Sequence, residues 1–156
     1  MRFGARQGRS CLIGEGCYLD VQDASAGEFS EDPMEILEHW SPFREWARRQ
    51  DLAEGLPCHD RELTCPVPTP GQIFAIGLNY RDHAVESSME IPDNPMIFTK
   101  YPSSLTGPRD DIHLVPGSCD WEVELVAVIG ERARNVSEDD APRVIAGLTV
   151  GQDVSE

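Results

Sequence analysis

The chain has 156 residues, 40% of them hydrophobic and 26% charged, which excludes a disordered polymer and fits one domain, or one domain with a small appendage. It carries 28 Asp and Glu against 13 Lys and Arg, a formal net charge of −15. That balance excludes non-specific nucleic-acid binding, which needs clustered Lys and Arg, and disfavours anionic membrane surfaces. No apolar run approaches the roughly 18–20 residues of a spanning helix. The opening Met1-Arg-Phe-Gly-Ala-Arg6 lacks the apolar stretch of a signal peptide, so a cytoplasmic protein is expected.

Taken in chain order, Ser10–Ile13 and Cys17–Val21 are short apolar runs around Gly14-Glu-Gly16, the pattern of a β-hairpin. Asp32-Pro33 reads as an N-cap followed by Pro at the first helical position, and Ser41-Pro42 repeats the signature. Two short helices follow, with Met34, Ile36, Leu37, Trp40, Phe43 and Trp46 as their apolar faces. His39 and His59 have no ligand pattern around them. The five cysteines contain no Cys-x-x-Cys and match no zinc spacing, so they are read as reduced thiols.

Cys65-Pro-Val-Pro-Thr-Pro70 places Pro at every second position, which forbids a helix and favours an extended connector. We therefore divide the chain into a small N-terminal domain, residues 1–65, a connector, 66–70, and a second domain, 71–156. Beyond the connector, Gln72–Ile76 and Pro95–Thr99 read as strands, and Asn79–Glu86 as a short helix or turn. Ile112–Val115 reads as a further short strand, and Trp121–Ile129 as the strongest strand of all. Ser137-Glu-Asp-Asp140 resembles a capping box that opens a helix to about Ala146, and Leu148–Val154 is a final strand. The fold class is α+β, mainly β.

Strand alternation puts Glu122 and Glu124 on one face, with Val126 and Val128 following them. Like charges on a partly buried face repel and lose solvation, which a hard divalent cation held by carboxylate oxygens would offset. A solvated strand face is the plainer reading. Asp153, at the end of the last strand, supplies a third carboxylate if the two strands are neighbours. His83 and Glu86 share a face if their segment is helical, the arrangement of an oriented general base; Asp82 competes as the partner of His83. Tyr80 is either a packing residue or a substrate contact.

Four blocks, in this order, resemble the start of the catalytic domain of the fumarylacetoacetate hydrolase family. They are Ile76-Gly-Leu-Asn-Tyr-Arg-Asp-His-Ala-Val-Glu86, Ile97-Phe-Thr-Lys-Tyr-Pro-Ser-Ser-Leu-Thr-Gly107, Asp120-Trp-Glu-Val-Glu-Leu-Val-Ala-Val-Ile-Gly130 and Gly147-Leu-Thr-Val-Gly-Gln-Asp-Val-Ser155. The resemblance implies a mixed β-roll, here incomplete, preceded by the small N-terminal domain. It implies a Mg²⁺ or Mn²⁺ site on Glu122, Glu124 and Asp153, and His83 as the catalytic base assisted by Glu86. Arg81 and Lys100 are candidates for a substrate carboxylate, with solvated side chains as the alternative.

The implied activity is metal-dependent C–C hydrolysis of acylpyruvate-like diketo acids through an enolate. Sister activities of the family are 2-oxo acid decarboxylation and isomerisation in aromatic catabolism. A homodimer is implied for the full-length protein. Family domains continue beyond the position of Glu156, so a fragment with an unpaired sheet edge is expected, and a non-catalytic remnant that binds a partner through that edge is a third reading.

Overall fold

The computed structural model describes residues 1–156. Its first sheet is a five-stranded antiparallel one. The strands are β1 (Arg2–Arg6), β2 (Arg9–Ile13), β3 (Cys17–Asp20), β4 (Leu56–Pro57) and β5 (Leu63–Thr64), in the order β4-β3-β2-β1-β5. The β2–β3 hairpin forms where the two apolar runs predict it, with Leu12 opposite Leu19. Strand β1 is not among the predicted elements. It pairs with β2 from Arg2↔Ile13 to Arg6↔Arg9, and Gln7 and Gly8 between them both take positive φ. That two-residue turn lacks an Asn-Gly or Asp-Gly signature, which is why it goes unread in the sequence.

Three helices cover one face of this sheet: α1 (Val21–Ala24), α2 (Pro33–Glu38) and α3 (Trp40–Ala47). Asp20 caps α1 by accepting from the Asp23 amide, and Asp32 caps α2 by accepting from Met34 N at 2.8 Å, with Pro33 leading the helix. The expected Ser41 cap is corrected. Helix α3 starts at Trp40 with no side-chain cap, and the Ser41 hydroxyl instead donates to Glu131 Oε1 at 2.7 Å.

The core lies between sheet and helices. Leu12, Val21, Ile36 and Phe43 are buried there with Phe29, Trp40 and Trp46 around them. Phe43 is 0% exposed and sits within 5.4–5.8 Å, ring centre to ring centre, of Phe3, Phe29, Trp40 and Trp46. Trp40, Phe43 and Trp46 are packing residues, as their helical spacing indicates, and Phe3 from β1 and Phe29 pack against them.

Two ribbons complete the chain. One is β6 (Ile73–Gly77) with β7 (Met96–Lys100), antiparallel, with α4 (Arg81–Glu86) between them in sequence. The other is β8 (Val123–Ile129) with β9 (Ile145–Gln152), also antiparallel, with α5 (Ala141–Val144) leading directly into β9. The segment Ile112–Val115 is not a strand; Ile112, Leu114 and Val115 are exposed in irregular backbone, so β-propensity found no partner edge to pair with. The helix expected from Ser137 is reduced to the single turn α5. Ser137 instead closes the preceding turn, its Oγ accepting from Asp140 N at 3.2 Å, and Pro142 allows little beyond that turn before the chain joins β9.

The chain forms two compact units, Met1–Val67 with Gly107–Glu156, and Pro68–Thr106. Within the first, Val128 of β8 and Ala146 of β9 pack against the aromatic core. This ties the far end of the β8–β9 ribbon to the N-terminal helices. No helix is long and apolar enough to cross a membrane.

Candidate functional site

The first group of candidate residues lies on the β8–β9 ribbon. Its register is Val123↔Gln152, Glu124↔Gly151, Leu125↔Val150, and onward without a shift to Val128↔Gly147. Beyond the ladder the same pairing continues. Asp153 N donates to Glu122 O at 2.8 Å, and Asp120 and Ser155 form a bridge with bonds of 2.9 and 3.1 Å in both directions. Glu122 therefore stands opposite Asp153, and Glu124 opposite Gly151. Opposite residues of an antiparallel pair share a face, as do alternate residues of one strand. Glu122, Glu124 and Asp153 thus share one face, and so do Asp120 and Ser155.

Burial marks that face. Glu122, Glu124, Gly151 and Asp153 are half-buried, whereas Val123, Leu125 and Val150 on the opposite face are 62%, 63% and 71% exposed. The usual assignment of charge to solvent and hydrocarbon to the interior is inverted here. Gly151 has a packing reason: a Cβ there would lie 2.9 Å from Val126 Cγ2. The Ser155 hydroxyl donates to Glu122 Oε1 at 2.8 Å.

As a donor set the three carboxylates suit Mg²⁺ or Mn²⁺, which take hard oxygen ligands. The backbone fits too, since the register sets all three on one half-buried face. Their side chains are not drawn together into a coordinating cluster: no three His, Cys, Asp or Glu groups stand at metal-binding spacing.

The second group lies in the other unit. Strand β6 ends at Gly77, and Leu78 turns the chain with a φ of 52° before α4 begins. A branched residue in the left-handed region costs roughly 1–2 kcal/mol, strain of the kind that accumulates at functional turns. Tyr80, 44% exposed, is the N-cap of α4 in extended backbone and offers no side-chain cap; Asp82 in the first turn complements the helix dipole. The helix confirms that His83 and Glu86, three residues apart, share a face, and both are exposed, as is Arg81. Lys100, at the end of β7, is half-buried.

Asp120 and Ser155 were not among the sequence candidates. Asp120 was legible, because it precedes Glu122 by two residues and strand alternation puts it on the same face. Ser155 was not, because its relation to Glu122 depends on the strand register.

The α+β, mainly β fold places the chain in a protein class that comparison with known proteins identifies. A family model described as Fumarylacetoacetate (FAA) hydrolase C-terminal matches residues 72–156, more than half of the chain. The chain belongs to that family.

It is 51% identical over 107 residues to a 2,4-didehydro-3-deoxy-L-rhamnonate hydrolase of Sphingomonas, an alignment that covers 67% of this chain and 36% of that protein. It is 42% identical over 127 residues to the mitochondrial oxaloacetate tautomerase Fahd2a of Rattus norvegicus, covering 78% of this chain and 40% of the relative. Among solved structures, one described as an HpcE protein of Mycobacterium smegmatis superposes with a TM-score of 0.88 at 46% identity, covering all of this chain and 56% of the other. The fold is thus that of the family. The chain spans about a third of the length of the curated relatives it matches.

Proposed function

We propose that this chain carries part of the catalytic machinery of a metal-dependent hydrolase that cleaves a C–C bond in acylpyruvate-like diketo acids. The observation that carries the reading is the register that sets Glu122, Glu124 and Asp153 on one half-buried face of the β8–β9 ribbon. These three would hold Mg²⁺ or Mn²⁺. Such a cation, when bound, supplies Lewis-acid polarisation of the paired oxygens of a 2-oxo acid.

The chain's own groups supply the proton chemistry. His83 accepts a proton from the attacking water, with Glu86 on the same helical face orienting the ring. The water oxygen bonds to the distal carbonyl carbon, and the C–C bond breaks. Its electron pair stays with the 2-oxo acid half, which takes a proton to complete the products, a carboxylic acid and the 2-oxo acid. Arg81 or Lys100 neutralises the substrate carboxylate against a protein of net charge −15, and Tyr80 lines the substrate's path. We propose that the protein acts as a homodimer.

The 42% identity to a protein named as an oxaloacetate tautomerase favours a second reading. There His83 moves a proton between carbon and oxygen of a 2-oxo acid, and no C–C bond breaks. The test is incubation of the protein with Mn²⁺ and an acylpyruvate, followed by absorbance of the diketone and by NMR of the products. Metal-dependent loss of absorbance with two carboxylic acid products, abolished in Glu124→Ala, supports hydrolysis. Proton exchange at the methylene without cleavage replaces it by the tautomerase reading, and metal-independent turnover refutes both.

A further inference from the structure

We draw no further inference here: the strongest candidate, the exposed apolar face that Val123, Leu125, Leu148 and Val150 form on the β8–β9 ribbon, carries nothing because nothing in the structure shows what covers it.

Discussion

Gly130→Ala tests how the ribbon that carries the carboxylates is held. Gly130 follows β8, and its amide donates to Val144 O at 2.9 Å. A Cβ built at this position lies 2.8 Å from Ala146 Cβ and 3.1 Å from Cδ1 and Cγ of Trp40. The first distance is about 1 Å inside a comfortable carbon–carbon contact. Relief by rotamer change is closed off, because Ala146 has no side-chain torsion and Trp40 is only 6% exposed in the packed aromatic core. The backbone of the ribbon must move instead.

Overpacking of this kind costs about 1–3 kcal/mol, and two contacts against rigid neighbours place the cost near 2 kcal/mol. Urea unfolding, followed by tryptophan fluorescence, measures it directly: the midpoint falls while the slope stays constant. Ala146→Gly in the same chain removes the shorter clash and is expected to restore about half of the loss. A Gly130→Ala midpoint equal to that of the parent chain would refute the claim that Trp40 and Ala146 close around this position, and with it the anchoring of the ribbon to the N-terminal helices.

Phe43→Ala empties the centre of the aromatic cluster and is expected to cost about 3–5 kcal/mol, read from the same urea transition; a loss below about 1 kcal/mol would mean the cluster does not hold the N-terminal unit together. Burial alone would raise the carboxyl of Asp20, but the Arg9 guanidinium at 2.8 Å and the Asp23 amide outweigh it and hold the group below its ordinary value. Its contribution is complete above the unfolded-state value, about 3.9, and is lost as pH falls through the folded one. The stability gap between the parent and Asp20→Asn, which keeps a capping side chain, should therefore hold steady from pH 7 to about 5 and shrink below about 4. A gap that persists at pH 2 would contradict the assignment.

What the sequence made legible was local. The Asp32-Pro33 start of α2, the β2–β3 hairpin and the strong strand depend on neighbours in the chain; the first two appear where expected, and the strand expected over Trp121–Ile129 runs over Val123–Ile129. What it hid was pairing. Strand β1 has an ordinary composition and is defined by partners on both sides, β2 and β5. Ile112–Val115 has the composition of a strand and lacks a partner. Ser41 carries a capping signature, but its hydroxyl is taken by Glu131, ninety residues away. The candidate site divides in the same way. His83 and Glu86 could be set on one helical face by counting, and Glu122 and Glu124 on one strand face by alternation. The neighbourhood of Asp153 and Glu122 and the hydroxyl of Ser155 required the register.

The inversion on the ribbon carries the functional argument furthest. A two-stranded ribbon with Val123, Leu125, Leu148 and Val150 on one face and three carboxylates on the other would ordinarily turn the carboxylates outward. Here they are the half-covered side, in a protein that already carries a net charge of −15. Covering charge costs solvation, and placing like charges on one face adds repulsion, so neither is favoured by folding alone. One hydroxyl, on Ser155, offsets part of this cost at Glu122. A divalent cation offsets far more, since it opposes all three charges at once and replaces lost water with ion–oxygen contacts. The arrangement is therefore a poor way to stabilise a ribbon, and that cost is what the proposed cation would offset. On the proposed reading, replacing Glu122 and Glu124 together by Gln should leave the metal-free chain as stable as the parent or more so, while abolishing the gain in thermal midpoint expected when Mn²⁺ is added to the parent. A double variant that is less stable without metal would show that the carboxylates serve the fold rather than the ion.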